Sequence, residues 1–494
     1  MDYLKKLKEL RSEHKSVDTR GLDEKIIEAF LERDPRLARA IEDAVQNYEG
    51  LKREFGTILR HDEAHQIHEL QRDFLNFYED FNVNPYVALA AKGPWIVTSC
   101  GAVVYDTGGY GMLGFGHNPD HLLEALSRPQ VMANVMTPNF SQWRFSKALN
   151  EEIGHHRTDG KRYYQFLCIN SGSEATTVAL RIADCHTKNL TDAGGSQAGK
   201  KIMFLSMKGS FHGRTEPSAQ VSSSSLGAYQ SYLASFRDRR NLISVEPNNL
   251  SELANIFTWA EKEGVYFQAM LLEPVMGEGN PGKAISPEYY KLARELTKKH
   301  DTMLIVDSIQ AGFRVNACLS VVDYPGFESF DFPDMEAYSK ALNGGQFPLS
   351  VLALNEKAAR LYRYGIYGNT MTTNPRALDV GYQVLKSMTA ELRDNIHKQG
   401  QYFLSRLKRL AESIPDVIIS VQGTGLLFSV SFDEKKCVVL GDKGLERFLR
   451  KRGLGVIHGG KNALRFTPVF NINKYEADLV IGLLEKALND FLAR

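Results

Sequence analysis

The run Met303-Leu304-Ile305-Val306-Asp307-Ser308-Ile309-Gln310 decides the fold. Four apolar residues form a strand that closes on an acid, so the carboxylate sits at the strand's carboxyl end. Lys340 follows Asp307 by 340 − 307 = 33 residues, in Ser339-Lys340-Ala341-Leu342-Asn343-Gly344-Gly345. Upstream, Asn170-Ser171-Gly172-Ser173-Glu174-Ala175 reads as a strand turning into a helix. Backbone N–H groups and the positive end of the helix dipole gather there, which suits a phosphate. Ser173 also has the plainer reading of a helix cap.

Around these motifs, short apolar runs alternate with helical patterns. The runs are Tyr164–Ile169, Ile202–Ser206, Leu242–Val245, Met270–Glu273, Met303–Asp307 and Ser350–Leu354. Helices are predicted at Glu174–Lys188, Ser251–Glu263 and Pro287–His300. Such alternation predicts an α/β fold with a mostly parallel sheet covered on both faces. Ligands of such sheets bind at the carboxyl ends of the strands.

Residues 1–80 are charged and helix-prone, with Leu4, Leu7, Leu10 and then Ile26, Ile27, Phe30 at helical spacing. They read as a helical extension. Residues 81–125 form the N-terminal part of a small domain and 126–375 a large α/β domain. Residues 376–494 are an α+β continuation of the small domain. There a long helix is expected to run from about 376 through Leu385 toward Arg406. Strands near Val417–Val421 and Gly425–Phe432 and a final helix from Lys474 follow it.

The 494 residues suffice for two or three domains. Hydrophobic content of 43% and charged content of 24% are ordinary for a globular enzyme. A net charge of +1 gives no field to attract nucleic acid or a membrane surface. No run of about 18 apolar residues spans a bilayer. The five cysteines, Cys100, Cys168, Cys185, Cys318 and Cys437, are scattered and odd in number. They argue for a reducing cytoplasm and against a metal centre. His61, His65 and His68 share a helical spacing, but their charged segment reads as a solvated face. The N-terminus, Met1-Asp2-Tyr3-Leu4-Lys5-Lys6, has no apolar signal core.

A phosphate cradle, a buried acid and a lysine beside a Gly-rich turn are the handles that pyridoxal phosphate (PLP) requires. Three further segments carry candidate groups. Phe211-His212-Gly213-Arg214-Thr215 offers an aromatic face and a guanidinium fork for a carboxylate. Glu273-Pro274-Val275-Met276-Gly277-Glu278-Gly279 places two acids at and past a strand end. Arg465, in Ala463-Leu464-Arg465-Phe466-Thr467-Pro468, has apolar neighbours. On local grounds alone, a core aromatic, a surface acid or a structural Arg explains each of these equally well.

Together, in this order, the motifs over roughly residues 90–475 resemble the class III aminotransferases, a subgroup of the fold type I PLP enzymes. The resemblance implies Lys340 as the Schiff-base lysine and Asp307 as partner of the pyridinium nitrogen. It implies Gln310 beside the ring oxygen, Ile309 and Phe211 on the two ring faces, and Gly172 with Ser173 on the phosphate. Thr370 matches a threonine that reaches the neighbouring subunit's phosphate, which implies a homodimer with shared active sites. Glu278 and Arg465 resemble a switch pair of members acting on ω-amines. Arg214 matches an arginine for a second carboxylate, and Tyr110 matches a substrate-lining aromatic. The implied substrates are an amino acid of the lysine, ornithine or 4-aminobutyrate type and 2-oxoglutarate, with no metal. A PLP-dependent decarboxylase or aminomutase is the alternative on the same scaffold. The chain departs from the pattern at Ser308, where Glu is usual, and in Asp192–Lys200, which reads as an inserted loop.

Overall fold

The computed structural model describes residues 2–14, 16–132 and 136–494. They form two compact units, one of residues 121–397 with 423–427, the other of the remaining segments up to 120, 398–422 and 428–494.

The first of these units is built on a seven-stranded sheet. Its lateral order is Gln165–Ile169, Ser350–Leu354, Met335–Tyr338, Met303–Asp307, Val265–Leu272, Lys201–Met207 and Leu242–Val245. Five neighbouring strands run parallel, and Ser350–Leu354 runs antiparallel to both of its neighbours. The helices Gly172–Thr191, Leu250–Lys262 and Pro287–Lys299 are the crossovers that a parallel sheet requires. Each is capped by an Asn or Ser side chain, from Ser171, Asn249 and Ser286 respectively. The helix Gly172–Thr191 lays Ala175, Val178, Ala179 and Ile182 onto sheet residues Ile305, Ala337 and Leu352, all buried. Small residues on that face let the helix approach the sheet closely.

The strand Met335–Tyr338 was not among the predicted runs. It has only four residues, and Glu336 breaks its apolar character. That carboxylate is fully buried and satisfied within the unit. It accepts from Ser308 Oγ at 2.5 Å, Ser320 Oγ at 2.6 Å, Tyr163 Oη at 2.8 Å and the Val321 N–H at 2.9 Å. A buried acid with four donors is tolerable inside a sheet. The single long helix expected from 376 to 406 is instead two, Pro375–Ser387 and Ala390–Ser413. Thr389 Oγ1 accepts from the Leu392 N–H at 3.3 Å and so starts the second helix.

The other unit contains the N-terminal helices Tyr3–Ser12, Glu24–Leu31, Pro35–Leu59 and Glu63–Gln71. Pro35 begins the third rather than breaking it, because proline's missing N–H costs nothing at the first helical position. A buried network ties this helix to the rest of its unit. Asp34 accepts from Trp95 Nε1 at 2.6 Å and from Arg36 at 2.8 Å, and Arg36 also reaches Glu476 at 2.8 Å. Two four-stranded sheets complete the picture. One is Ala88–Lys92, Trp95–Thr98, Val103–Asp106 and Leu454–Gly455. The other is Ile418–Thr424, Leu427–Phe432, Ala463–Phe466 and Ile457–Gly459. Among the described residues, no helix is long and apolar enough to cross a membrane.

Candidate active site

The carboxyl ends of the parallel strands converge on one edge of the sheet. Asp307 pairs in register with Ala337, and Val306 with Leu272. The segments leaving these ends are the ones carrying chemistry. Asp307 is buried, with Oδ2 2.8 Å from His212 Nδ1 and Oδ1 accepting the Ile309 N–H at 3.1 Å. His212 is buried too, and its Nε2 has no hydrogen-bond partner.

Lys340 begins the turn after strand Met335–Tyr338, and its Nζ donates to Gln310 Oε1. Its backbone is left-handed, with φ +45°. For a residue with a Cβ that costs on the order of 1–3 kcal/mol, and it is the kind of strain found where a side chain must be aimed. Gly344 and Gly345, also at positive φ, close the turn without such strain.

Gly172 and Gly277 are close-approach glycines. A Cβ on Gly172 would stand 2.6 Å from Ile309 Cδ1, and one on Gly277 would stand 2.4 Å from Gln310 Cγ. Ser173 Oγ accepts the Arg214 and Thr215 N–H groups, both at 3.0 Å, so the 211–215 loop is tied to the start of helix Gly172–Thr191. Phe211 is half-buried and the exposed Arg214 guanidinium lies 5.3 Å from its ring centroid.

Glu273 sits between two of these loops. It is buried, and its two oxygens accept the Phe211 and Gly277 N–H groups, each at 2.9 Å. Burial pushes its carboxyl up to about 7; His212 draws it down and Asp307 pushes it further up. Neither Glu273 nor His212 was assigned a task from sequence. Their positions, at a strand end and between Phe211 and Gly213, were the available signal.

Glu278 is half-buried on its loop. Thr370 is exposed and lines a groove of about 1090 Å³ with Tyr164, Tyr362 and Tyr367, which none of the other candidate residues lines. Nearby, Glu174 Oε1 accepts from Tyr367 Oη at 2.6 Å and Asn369 Nδ2 at 2.8 Å. In the unit containing the N-terminal helices, Arg465 is buried on strand Ala463–Phe466, with its guanidinium 5.9 Å from the Tyr110 ring centroid. Tyr78 stacks on Tyr110 from the extension, with centroids 6.0 Å apart.

The family model for class III aminotransferases matches residues 78–488. The chain belongs to the class III aminotransferases. It is 32% identical to an acetylornithine aminotransferase of Clostridium acetobutylicum, over 65% of this chain and 76% of that one. It is 28% identical to an ornithine aminotransferase of Staphylococcus epidermidis, over 80% of this chain and 92% of that one. A solved ornithine aminotransferase of Toxoplasma gondii superposes with a TM-score of 0.72 at 21% identity, covering 90% and 98% of the two chains.

Class III aminotransferases are enzymes that use PLP, and this fold is theirs. The residues present fit that cofactor. Gln310 Nε2 is a buried donor without a protein acceptor, suited to an oxygen on a ligand. The Gly172 and Gly277 backbones let Ile309 and Gln310 pack where a Cβ would collide, which holds these two side chains in place.

Proposed function

We propose that this class III aminotransferase moves the terminal amino group of an ω-amino acid to 2-oxoglutarate. It would leave an aldehyde and glutamate by a ping-pong cycle. The carrying observation is the Lys340 amine held on the Gln310 amide, at the same strand edge as the buried Asp307–His212 pair. The names of the relatives, ornithine and acetylornithine aminotransferases, support a donor of the ornithine type. Lysine and 4-aminobutyrate belong to the same chemical class.

When bound, PLP supplies the carbonyl that receives the amine and a ring that withdraws electrons. Asp307 holds the proton on the ring nitrogen, and His212 Nδ1 fixes the orientation of that carboxylate. Lys340 Nζ anchors the cofactor and is the base that takes the proton from the donor carbon. Gly172 and Ser173 present first-turn N–H groups to the phosphate. Ile309 and Phe211 flank the ring, and Gln310 donates to its oxygen. Arg214, Glu278, Arg465 and Tyr110 select the substrates, the last two with their guanidinium–ring contact. Thr370, exposed and outside this cluster, serves the phosphate of a second subunit in a homodimer. Five free thiols support a reducing, cytoplasmic setting.

The test is single turnover of the holoenzyme with a panel of ω- and α-amines, following loss of the cofactor's visible absorbance. Ornithine-type amines should react fastest, and 2-oxoglutarate should then restore the spectrum and yield glutamate. Reaction only with α-amines, or no glutamate, would refute the reading.

A further inference from the structure

The scattered cysteines argue against a metal centre in the sequence, but folding brings one of them to a histidine pair. Cys318 lies 318 − 156 = 162 residues from His156, yet its Sγ is 3.8 Å from His156 Nδ1. His155 stands beside it, the two rings 4.1 Å apart. One donor atom from each of the three residues falls within 4.8 Å of the others. The thiol is buried, whereas both imidazoles are exposed, so the cluster opens to solvent on its nitrogen side.

We propose that His155, His156 and Cys318 bind one zinc ion, with solvent at the fourth position. The ligand set is what zinc prefers, and at bond lengths of about 2.1 Å to nitrogen and 2.3 Å to sulfur the separation of 3.8 Å subtends roughly 120° at the ion. That lies within the range of a four-coordinate site.

The framework around the cluster is built rather than incidental. The fully buried Asp323 accepts the Gly154 N–H at 2.7 Å and the His156 N–H at 2.9 Å, which fixes the backbone of the histidine turn. The same carboxylate lies 3.7 Å from His155 Nδ1. In the metal-free site His156 Nδ1 donates to the Asp323 carbonyl at 2.7 Å, and Cys318 Sγ lies 3.7 Å from the same oxygen; the ion replaces the first contact.

Binding exchanges the ion for the Sγ proton, while the His156 Nδ1 proton moves to Nε2 so that the imidazole ligates in its neutral form. The thiol gives up its hydrogen bond to the Asn316 carbonyl, now 3.1 Å away. The ion then clasps the 316–323 loop to the turn at 154–157.

The experiment uses untagged holoenzyme, stripped with a chelator and titrated with Zn²⁺ against a chromophoric competitor. One ion per chain is expected. Cys318→Ser should weaken binding by on the order of 100-fold or more, beyond the 10- to 100-fold carried by outer-shell partners. His156→Ala, at an exposed position, gives the same test without disturbing the buried thiol. Co²⁺ should produce a thiolate-to-metal absorption that Cys318→Ser abolishes and Cys437→Ser retains. Cofactor absorbance reports that each variant is folded. Absence of stoichiometric binding, or binding that survives both Cys318→Ser and His156→Ala, would overturn the assignment and leave an adventitious ion only.

Discussion

Glu273→Gln tests whether a single buried carboxyl holds two active-site loops. Each Glu273 oxygen accepts one backbone N–H, from Phe211 and from Gly277, both at 2.9 Å. Glutamine keeps one acceptor and turns an NH₂ group toward the other donor. One buried N–H is then unsatisfied, at about 1–3 kcal/mol. Converted at 1.4 kcal/mol per decade, local opening rises about 5- to 150-fold. Hydrogen exchange should therefore quicken by that factor in peptides carrying Phe211 or Gly277, and kcat should fall because Gly277 backs Gln310. The effect is also pH-dependent. Burial raises the Glu273 carboxyl from 4.5 unfolded to about 7 folded. A raised acid contributes fully below its unfolded value and loses that contribution as pH climbs through its folded value. The loss amounts to at most about 3 kcal/mol across that window. Glutamine does not titrate, so the wild type's advantage should shrink between pH 5 and pH 8. Equal protection of both segments in the two proteins, or an advantage that grows with pH, would refute the reasoning.

Lys340→Ala should lower turnover by about 10²- to 10⁴-fold or more, the span of a lost general base, and borohydride reduction of the wild type should fix the cofactor on the peptide containing Lys340. Asp307→Asn should reduce kcat by orders of magnitude while keeping the cofactor, because the amide cannot hold a proton on the ring nitrogen by charge; near-normal turnover would make Asp307 structural. Gly277→Ala places a methyl 2.4 Å from Gln310 Cγ. It should cost up to about 100-fold in kcat through displacement of the amide that meets Lys340, and an unchanged kcat would show the contact to be slack. Glu278→Ala should favour glutamate over the ω-amine by roughly ten- to a thousand-fold in half-reaction rates, and additive effects with Arg465→Ala would remove the switch inferred from family resemblance.

The sheet was legible because its strands are apolar runs bounded by polar turns, and burial on both faces demands that pattern. Val265–Leu272 is longer than the predicted Met270–Glu273, since Tyr266 and Gln268 interrupt the run while remaining buried. Met335–Tyr338 was hidden by Glu336, whose four donors come from three separate segments. No local pattern announces such a rescue. The break at Met388-Thr389 was hidden for the opposite reason, because apolar spacing continues across it and only the Thr389 cap marks the restart.

The site divides along the same line. A residue that ends a strand can be recognised from its own neighbours, and Asp307 and Gly172 were singled out that way, whereas Lys340 was found from its Gly-rich turn and its spacing from Asp307. Which of them touch depends on lateral strand order, and periodicity contains no information about that. Right-handed crossovers return the chain to the same sheet edge each time. Strand ends far apart in sequence therefore become neighbours only once the order is fixed. Strand Met303–Asp307 lies between Val265–Leu272 and Met335–Tyr338. That placement puts Gln310 against both Gly277 and Lys340, from the two flanking strands. It also brings His212, 95 residues upstream of Asp307, against the Asp307 carboxylate. The sequence assigned His212 no role, and its place became visible only through the partner that topology supplied.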